Sequence, residues 1–140
     1  MIFNFSYRDR ELIRKINEMV GKPFGFWERI KMKGIGSPIF TLSHASEDIN
    51  TRLPKDLSMV KVSFELRPNG VIVHFKKYTE HYTWVIPYYR LSVYQSRDLS
   101  IHAEGEYMKL STLKLRKSHH TFIQRLISLK ALFSADFIEN

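Results

Sequence analysis

The chain has 140 residues, of which 44% are apolar and 26% are charged, and its formal net charge is +8. This length and composition favour one globular domain, residues 1–140, with a single ordinary core. The absence of cysteine excludes disulfides, thiol catalysis and thiolate metal sites. No run approaches the roughly 20 apolar residues that a membrane span needs. Charges also stand near the N-terminus, where a signal peptide is apolar. We therefore expect a cytoplasmic protein.

The first predicted element is a helix over residues 7–20. Ser6 is its predicted N-cap, and Asp9 occupies the capping-box position three residues later. The glycine and proline that follow residue 20 end the helix. One face of the helix collects the apolar residues, namely Leu12, Ile13, Ile16, Met19 and Val20. We expect residues 1–26 to form a helical addition to the main domain.

Two short strands are predicted next, from Trp27 to Lys33 and from Ile39 to Leu42. Residues 43–58 are polar and interrupted, and they form the longest predicted irregular stretch. A helical turn inside this stretch is compatible with its composition. Because loops of this length are uncommon in compact domains, the segment is a candidate for a functional or a mobile region.

The centre of the chain, residues 59–95, predicts an antiparallel meander with one buried face. Four apolar residues alternate with polar ones, and this period of two predicts a strand with its apolar side in the core. Asn69-Gly70 predicts a hairpin turn, because both residue types tolerate positive φ. The alternating apolar residues are Val60, Val62, Phe64 and Leu66.

Further strands and a last helix complete the predicted α+β fold. Alternation predicts a strand over 99–103, and a turn at 104–106 leads into a last strand that extends toward residue 117. A helix is predicted over 119–133, with Ser118 as its N-cap. Its apolar stripe consists of Phe122, Ile123, Leu126, Ile127, Leu129 and Phe133. The expected architecture is a strongly bent antiparallel meander that this helix closes.

Residues 59–133, with about seven strands and one amphipathic helix, resemble the pleckstrin-homology-like barrels of bacterial proteins. The segment Trp84-Val-Ile-Pro-Tyr-Tyr-Arg-Leu-Ser-Val-Tyr is similar to the strand, Ile-Pro-Tyr corner and next strand of that superfamily. The resemblance implies a barrel over 27–133 whose last helix plugs one end. It also implies a binding or scaffolding role, because such barrels present loops and sheet edges to lipids, peptides or other subunits. No catalytic residue comes with it.

The six histidines are the natural candidates for metal or acid–base chemistry, but none stands in a known ligand spacing. His119 and His120 are adjacent, so on a helix their side chains point about 100° apart and do not share an ion easily. His81 falls in a predicted loop. The chain has no Gly-x-Ser-x-Gly motif, and Gly34-Ile-Gly36 lacks the context of a phosphate loop. We expect no metal, no cofactor and no catalytic residue, and hence no enzyme.

The strongest compositional signal is a basic stretch at residues 107–130. No acidic residue occurs between positions 107 and 135. Such a cluster attracts phosphates, although runs of charge are more often solvated faces. The candidate anion-binding residues are Lys109, Lys114, Arg116, Lys117, His119 and His120. We expect the cations to form a patch around the start of the last helix.

Two functions remain open from the sequence. The first is a non-enzymatic binding or scaffolding domain that associates with a second copy through a sheet edge or an aromatic strand face. That face carries Tyr82, Trp84 and Ile86. The alternative is a phosphate or nucleic-acid binder that uses the 107–130 stretch. The expected partners are accordingly a second copy, an acidic protein or a phosphate-bearing ligand.

Overall fold

The computed structural model describes residues 1–6, 9–32, 34–55 and 60–139, with side chains to residue 133 in the last helix. Its fold is α+β, as predicted. One turn of 3-10 helix lies at Tyr88–Arg90. The elements in chain order are β1 (Ile2–Asn4), α1 (Arg10–Val20), α2 (Phe26–Lys31), β2 (Phe40–Ala45), α3 (Glu47–Asn50), β3 (Lys61–Arg67), β4 (Gly70–Lys77), β5 (Glu80–Pro87), β6 (Ser92–Gln95), β7 (Leu99–Ala103), β8 (Glu106–Leu110) and α4 (Lys117–Glu139).

The strands form one antiparallel sheet of eight strands in the order β1-β5-β4-β3-β2-β8-β7-β6. β2 joins the two halves of this sheet. Its first residues, at Phe40, pair with Val62 of β3. After an irregularity, its last residues pair with β8, where Ala45 lies opposite Met108. β1 and β6 are the outer strands of the sheet.

The predicted buried face of the meander is confirmed. The exposed fractions of Val60, Val62, Phe64 and Leu66 are all 3% or less. α4 packs against the same core, where the Phe64 and Phe122 rings lie 5.7 Å apart. The strand face that carries Trp84 and Ile86 is also buried in this core, at 1% exposure each. Trp84 and Ile86 of the predicted aromatic face are therefore occupied within the chain, and Tyr82 is half-buried beside them.

The hairpin between β3 and β4 is confirmed, but its two turn residues are Pro68 and Asn69, and Gly70 is the first residue of β4, opposite Arg67. The reason for the glycine also differs from the expectation, which was positive φ at Asn69 and Gly70. Neither residue has positive φ. Instead, a Cβ at Gly70 would lie 2.4 Å from the Ile86 carbonyl oxygen and 2.4 Å from Cγ1 of Val20. Position 70 requires glycine because α1 and β5 approach the backbone closely there.

The predicted strand from Trp27 to Lys33 is wrong. The chain forms α2 there, with Lys33 outside the described residues. The apolar residues Phe26, Trp27 and Ile30 are spaced three and four apart, which is a helical spacing. Glu28 in the first turn and the basic residues in the last turn also complement the helix dipole.

The N-terminal prediction needs two corrections. α1 begins at Arg10, and Asp9 is its N-cap, with its side chain accepting a hydrogen bond from the Glu11 N–H at 3.0 Å. Ser6 instead lies beyond a strand, β1, that the sequence did not predict and that pairs with β5. α1 covers the outer face of the sheet with Ile16 and Val20. Tyr7 and Arg8 lie outside the described residues.

Three boundaries in the rest of the chain also differ from the prediction. β2 extends to Ala45 and α3 follows it, so the irregular stretch is shorter than predicted and contains a helix. The last strand ends at Leu110 and does not continue toward residue 117. α4 begins at Lys117, one residue before the predicted Ser118 cap. Residues 111–116 are a connection, and Leu113 within it is 91% exposed.

Candidate functional site

The site lies where the connection from β8 enters α4. A cleft of about 590 Å³ separates residues 38–41, which lead into β2, from residues 111–119. The two walls are tied together at one end by the Ser111 N–H, which donates to the Thr41 carbonyl at 2.8 Å. We call this feature the basic cleft. Its lining residues are Pro38, Ile39, Phe40, Thr41, Ser111, Leu113, Lys114, Leu115, Arg116, Ser118 and His119.

His119 fixes the inner wall of the basic cleft. Its Nδ1 accepts the Arg116 N–H at 3.1 Å, and its Nε2 lies 2.8 Å from the Ile39 carbonyl oxygen. The backbone N–H leaves Nδ1 no proton, so Nε2 carries the proton and donates it to Ile39. The ring also contacts Phe40 edge to face, with centroids 4.8 Å apart. His119 is 7% exposed, and both of its ring nitrogens face backbone groups of the protein.

Among the described residues, no carboxylate lies beside the cations of the basic cleft. Within the described part of the chain, no Asp or Glu lines the cleft. None of Lys114, Arg116 and Lys117 forms an ion pair with another described residue. Glu104 pairs with Arg90 at 2.7 Å instead. The hydroxyls of Thr41, Ser111 and Ser118 accompany the two cleft cations, and this combination of donors suits a phosphate.

The six residues predicted from the sequence are only partly brought together. Lys114 and Arg116 line the basic cleft, and Lys117 lines an adjoining hollow that shares Pro38 and Ser118 with it. His119 is present but buried.

The other two predicted residues lie elsewhere. Lys109 lies on β8, with its ammonium 5.9 Å from the centre of the Tyr107 ring. His120 is exposed and does not line the cleft.

A second group of charged residues, which we call the polar row, crosses the outer face of β3, β4 and β5. Arg67 donates to Glu65 at 2.5 Å, and Glu65 lies 3.5 Å from Nε2 of His74. Nδ1 of His74 lies 3.1 Å from Nε2 of His81. Arg67 also donates to the Asn17 side chain and to the carbonyl of Gly21, so the row is joined to α1. His81 lies on β5 and not in the predicted loop.

Burial and neighbouring charges shift the pKa values of two members of the polar row, Glu65 and His81. Partial burial by itself would raise the pKa of Glu65, but hydrogen bonds and charges from His74 and Arg67 outweigh burial and lower that pKa to about 2. Burial, with the charges of His74 and Lys76, lowers the pKa of His81. Nε2 of a neutral His81 accepts a hydrogen bond when Nδ1 of His74 carries the proton. Each member of the row then has a hydrogen-bond partner within the protein.

The polar row borders a hollow of about 610 Å³ that includes Ser63. The arrangement is not that of a catalytic triad, because both nitrogens of His74 face Glu65 and His81, and no described hydrogen bond joins Ser63 to His74. Among the described residues, no group of three His, Asp or Glu side chains has a geometry that suits a metal ion. The row connects the sheet to α1 through the hydrogen bonds that Arg67 donates to Asn17 and Gly21.

Three features of the structure were not predicted from the sequence: the polar row, the hydroxyls of the basic cleft and the exposed apolar face of α2. The polar row follows from the register, because the pairing of Arg67 with Gly70 across the hairpin places His74 opposite Ser63 and beside Glu65. The hydroxyls of the basic cleft gave no signal, because they come from segments about 70 residues apart. The exposed apolar face of α2 was hidden by its prediction as a strand.

Comparisons of the chain with protein-family models, with curated protein sequences and with solved structures each gave no match. Among the helices in the described residues, none is both long enough and apolar enough to cross a membrane.

Proposed function

We propose that this protein is a non-enzymatic binding domain that holds a phosphate-bearing ligand in the basic cleft. The observation that carries the proposal is the convergence of Lys114 and Arg116, with Lys117 beside them, in a cleft that no carboxylate lines among the described residues. Cations that the chain leaves unpaired keep their capacity to bind an external anion. By contrast, the polar row satisfies its charges internally and gives no comparable reason to expect a ligand.

We further propose that strands β2–β8 with α4 form a barrel of the pleckstrin-homology-like kind. Three features support this. β2, the first strand of the set, pairs with both β3 and the last strand, β8. α4 is the next element after β8 in the chain. Its Phe122, Ile123 and Leu126 are buried in the main core. A binding role agrees with this architecture.

Association of two copies is a second candidate, and it now rests on a sheet edge alone. β6 is an outer strand, and its Tyr94 is 57% exposed. An outer strand offers backbone groups to a second strand. The mass of the protein in solution distinguishes this route, because edge pairing predicts a dimer that depends on concentration and responds weakly to salt.

The test of the phosphate site is a calorimetric titration with inorganic tripolyphosphate at rising salt. We expect the wild type to bind, with an affinity that falls as salt rises. The triple variant Lys114→Gln/Arg116→Gln/Lys117→Gln should lose most of this affinity. The matched control, Arg10→Gln/Lys15→Gln/Lys76→Gln, removes the same charge from exposed positions on α1 and β4.

The control should bind nearly as tightly as the wild type, since it changes only the net charge. Equal weakening in both triple variants would mean that net charge alone, and not the cleft, attracts the anion. Undiminished binding in the cleft variant would refute the proposed site.

A further inference from the structure

α2 exposes an apolar face that nothing in the described chain covers. The exposed fractions are 69% for Phe26, 74% for Trp27 and 54% for Ile30. Their spacing places the three side chains on one face of the helix. The two aromatic rings contact each other edge to face, with centroids 5.5 Å apart. Single exposed apolar residues are common on proteins, but a contiguous group of this kind marks an interaction site.

The residues that flank α2, and not those within it, pack against the main core. No residue of α2 is buried. Phe24 before the helix and Met32 after it both pack against the main core. The Arg29 side chain also donates to the Phe24 carbonyl at 3.0 Å. The apolar face of α2 is therefore held outward by the fold, since the residues that dock the segment are different ones.

The surroundings of α2 are basic. Arg29 and Lys31 stand in its last turn, and Glu28 is its one acidic residue. Lys31 shares a hollow with Arg125 of α4, and Arg125 shares the next hollow with Lys117. That second hollow adjoins the basic cleft through shared residues. In the described chain none of these three hollows is lined by a carboxylate, so the positive surface continues from α2 to the cleft.

This combination selects among the possible occupants. A second copy placed on α2 would bring two basic surfaces together, and their repulsion opposes such a dimer. An anionic bilayer complements both features. Trp and Phe favour the boundary between headgroups and acyl chains, and Lys and Arg attract anionic headgroups.

We infer that α2 inserts its Phe26, Trp27 and Ile30 face into the interface of an anionic membrane, while the adjoining cations bind lipid phosphates. This inference rests on the proposed phosphate site and names the lipid headgroup as the source of the phosphate. Its independent part is the insertion of α2, a segment outside the residues that resemble the pleckstrin-homology-like barrel.

The test uses the full chain with vesicles of phosphatidylcholine, either pure or mixed with phosphatidylglycerol. The two tryptophans make a direct readout available, because Trp84 is 1% exposed and Trp27 is 74% exposed. Mixed vesicles should shift the emission of Trp27 to the blue, above a constant background from Trp84. Pure phosphatidylcholine vesicles should shift it much less, because the electrostatic attraction is absent.

Phe26→Ser/Ile30→Ser should weaken binding to the mixed vesicles by roughly tenfold or more, because less apolar area enters the interface. It should still bind tripolyphosphate like the wild type. The matched control Ile13→Ser/Leu132→Ser changes two exposed apolar residues on α1 and α4 and should bind both probes normally. Circular dichroism of each variant establishes that it is folded.

The possible failures are distinguishable. Tripolyphosphate binding without vesicle binding, or an unchanged tryptophan emission, overturns the membrane inference and leaves the proposed function intact. Preference for single-stranded RNA over vesicles also overturns it, as does a dimer that Phe26→Ser/Ile30→Ser disrupts. Vesicle binding that survives the triple cleft variant, with no binding of tripolyphosphate, overturns the proposed function of the cleft.

Discussion

The polar row and the basic cleft both gather charged side chains, but they treat those charges in opposite ways. In the polar row, Arg67 is 8% exposed and contacts Glu65, Asn17 and the backbone of Gly21. In the basic cleft, Arg116 is exposed and makes no ion pair with a described residue. A buried charge needs partners to be tolerated, whereas an exposed cation without a carboxylate gives little stability and remains available. The charges of the polar row stabilise the fold, whereas the cations of the basic cleft can bind a ligand.

The largest expected effect contrasts the two arginines. Arg67→Met should lower the free energy of unfolding by about 3–5 kcal/mol, because it leaves Glu65 partly buried without its arginine partner. Arg116→Met should change it by less than about 0.5 kcal/mol, since an exposed side chain is replaced. Urea denaturation of both variants measures the difference. Similar losses in the two variants would contradict the distinction between the regions.

The second prediction concerns acid. The pKa of Glu65 is about 2 in the folded protein, below its ordinary value of 4.5. Its contribution to stability is therefore complete above pH 4.5 and is lost as the pH falls from 4.5 toward 2. The loss should reach about 2–3 kcal/mol, an upper bound because the side chain is partly exposed.

Unfolding measured by circular dichroism across this range is the check. Glu65→Gln should remove that part of the slope, and Glu18→Gln on the exposed face of α1 should keep it. A slope that both variants share with the wild type would assign acid sensitivity to other groups.

The third prediction compares adjacent histidines at the basic cleft. His119→Ala should cost about 2 kcal/mol, because the Arg116 N–H and the Ile39 carbonyl lose their bridge and Phe40 loses a contact. His120→Ala should cost less than about 0.5 kcal/mol, because the side chain is exposed. Thermal denaturation distinguishes them. Equal melting temperatures for the two variants would show that His119 does not hold the cleft walls together.

The fold was predictable where short-range patterns and burial agree. The alternation around Phe64 predicted β3 correctly, because a strand with one buried face has a fixed period. The Asn69-Gly70 signal predicted the hairpin to β4, with the turn one residue later than it is. α2 was mispredicted because, in a helix of six residues, the spacing of three apolar residues is too short a pattern to distinguish a helix from a strand. β1 was missed because three residues are too few to show alternation.

The candidate site was predictable in charge but not in shape. The absence of acidic residues over 107–135 indicated that no carboxylate within that segment neutralises Lys114, Arg116 and Lys117. The last strand was predicted to extend toward residue 117, but it ends at Leu110, and Leu113 is exposed. The opposite wall of the cleft comes from residues 38–41, and only long-range pairing of β2 with β8 brings it there.

The most direct test of the phosphate site is a residue-resolved NMR titration of the wild type with tripolyphosphate. If the basic cleft binds the anion, the largest amide shifts should fall on its two walls, residues 39–41 and 111–119. The amides around His74 and His81 in the polar row should change little, because their charges are already paired. Largest shifts at the polar row, or no localised shifts at any concentration, would contradict the assignment of the basic cleft as the binding site.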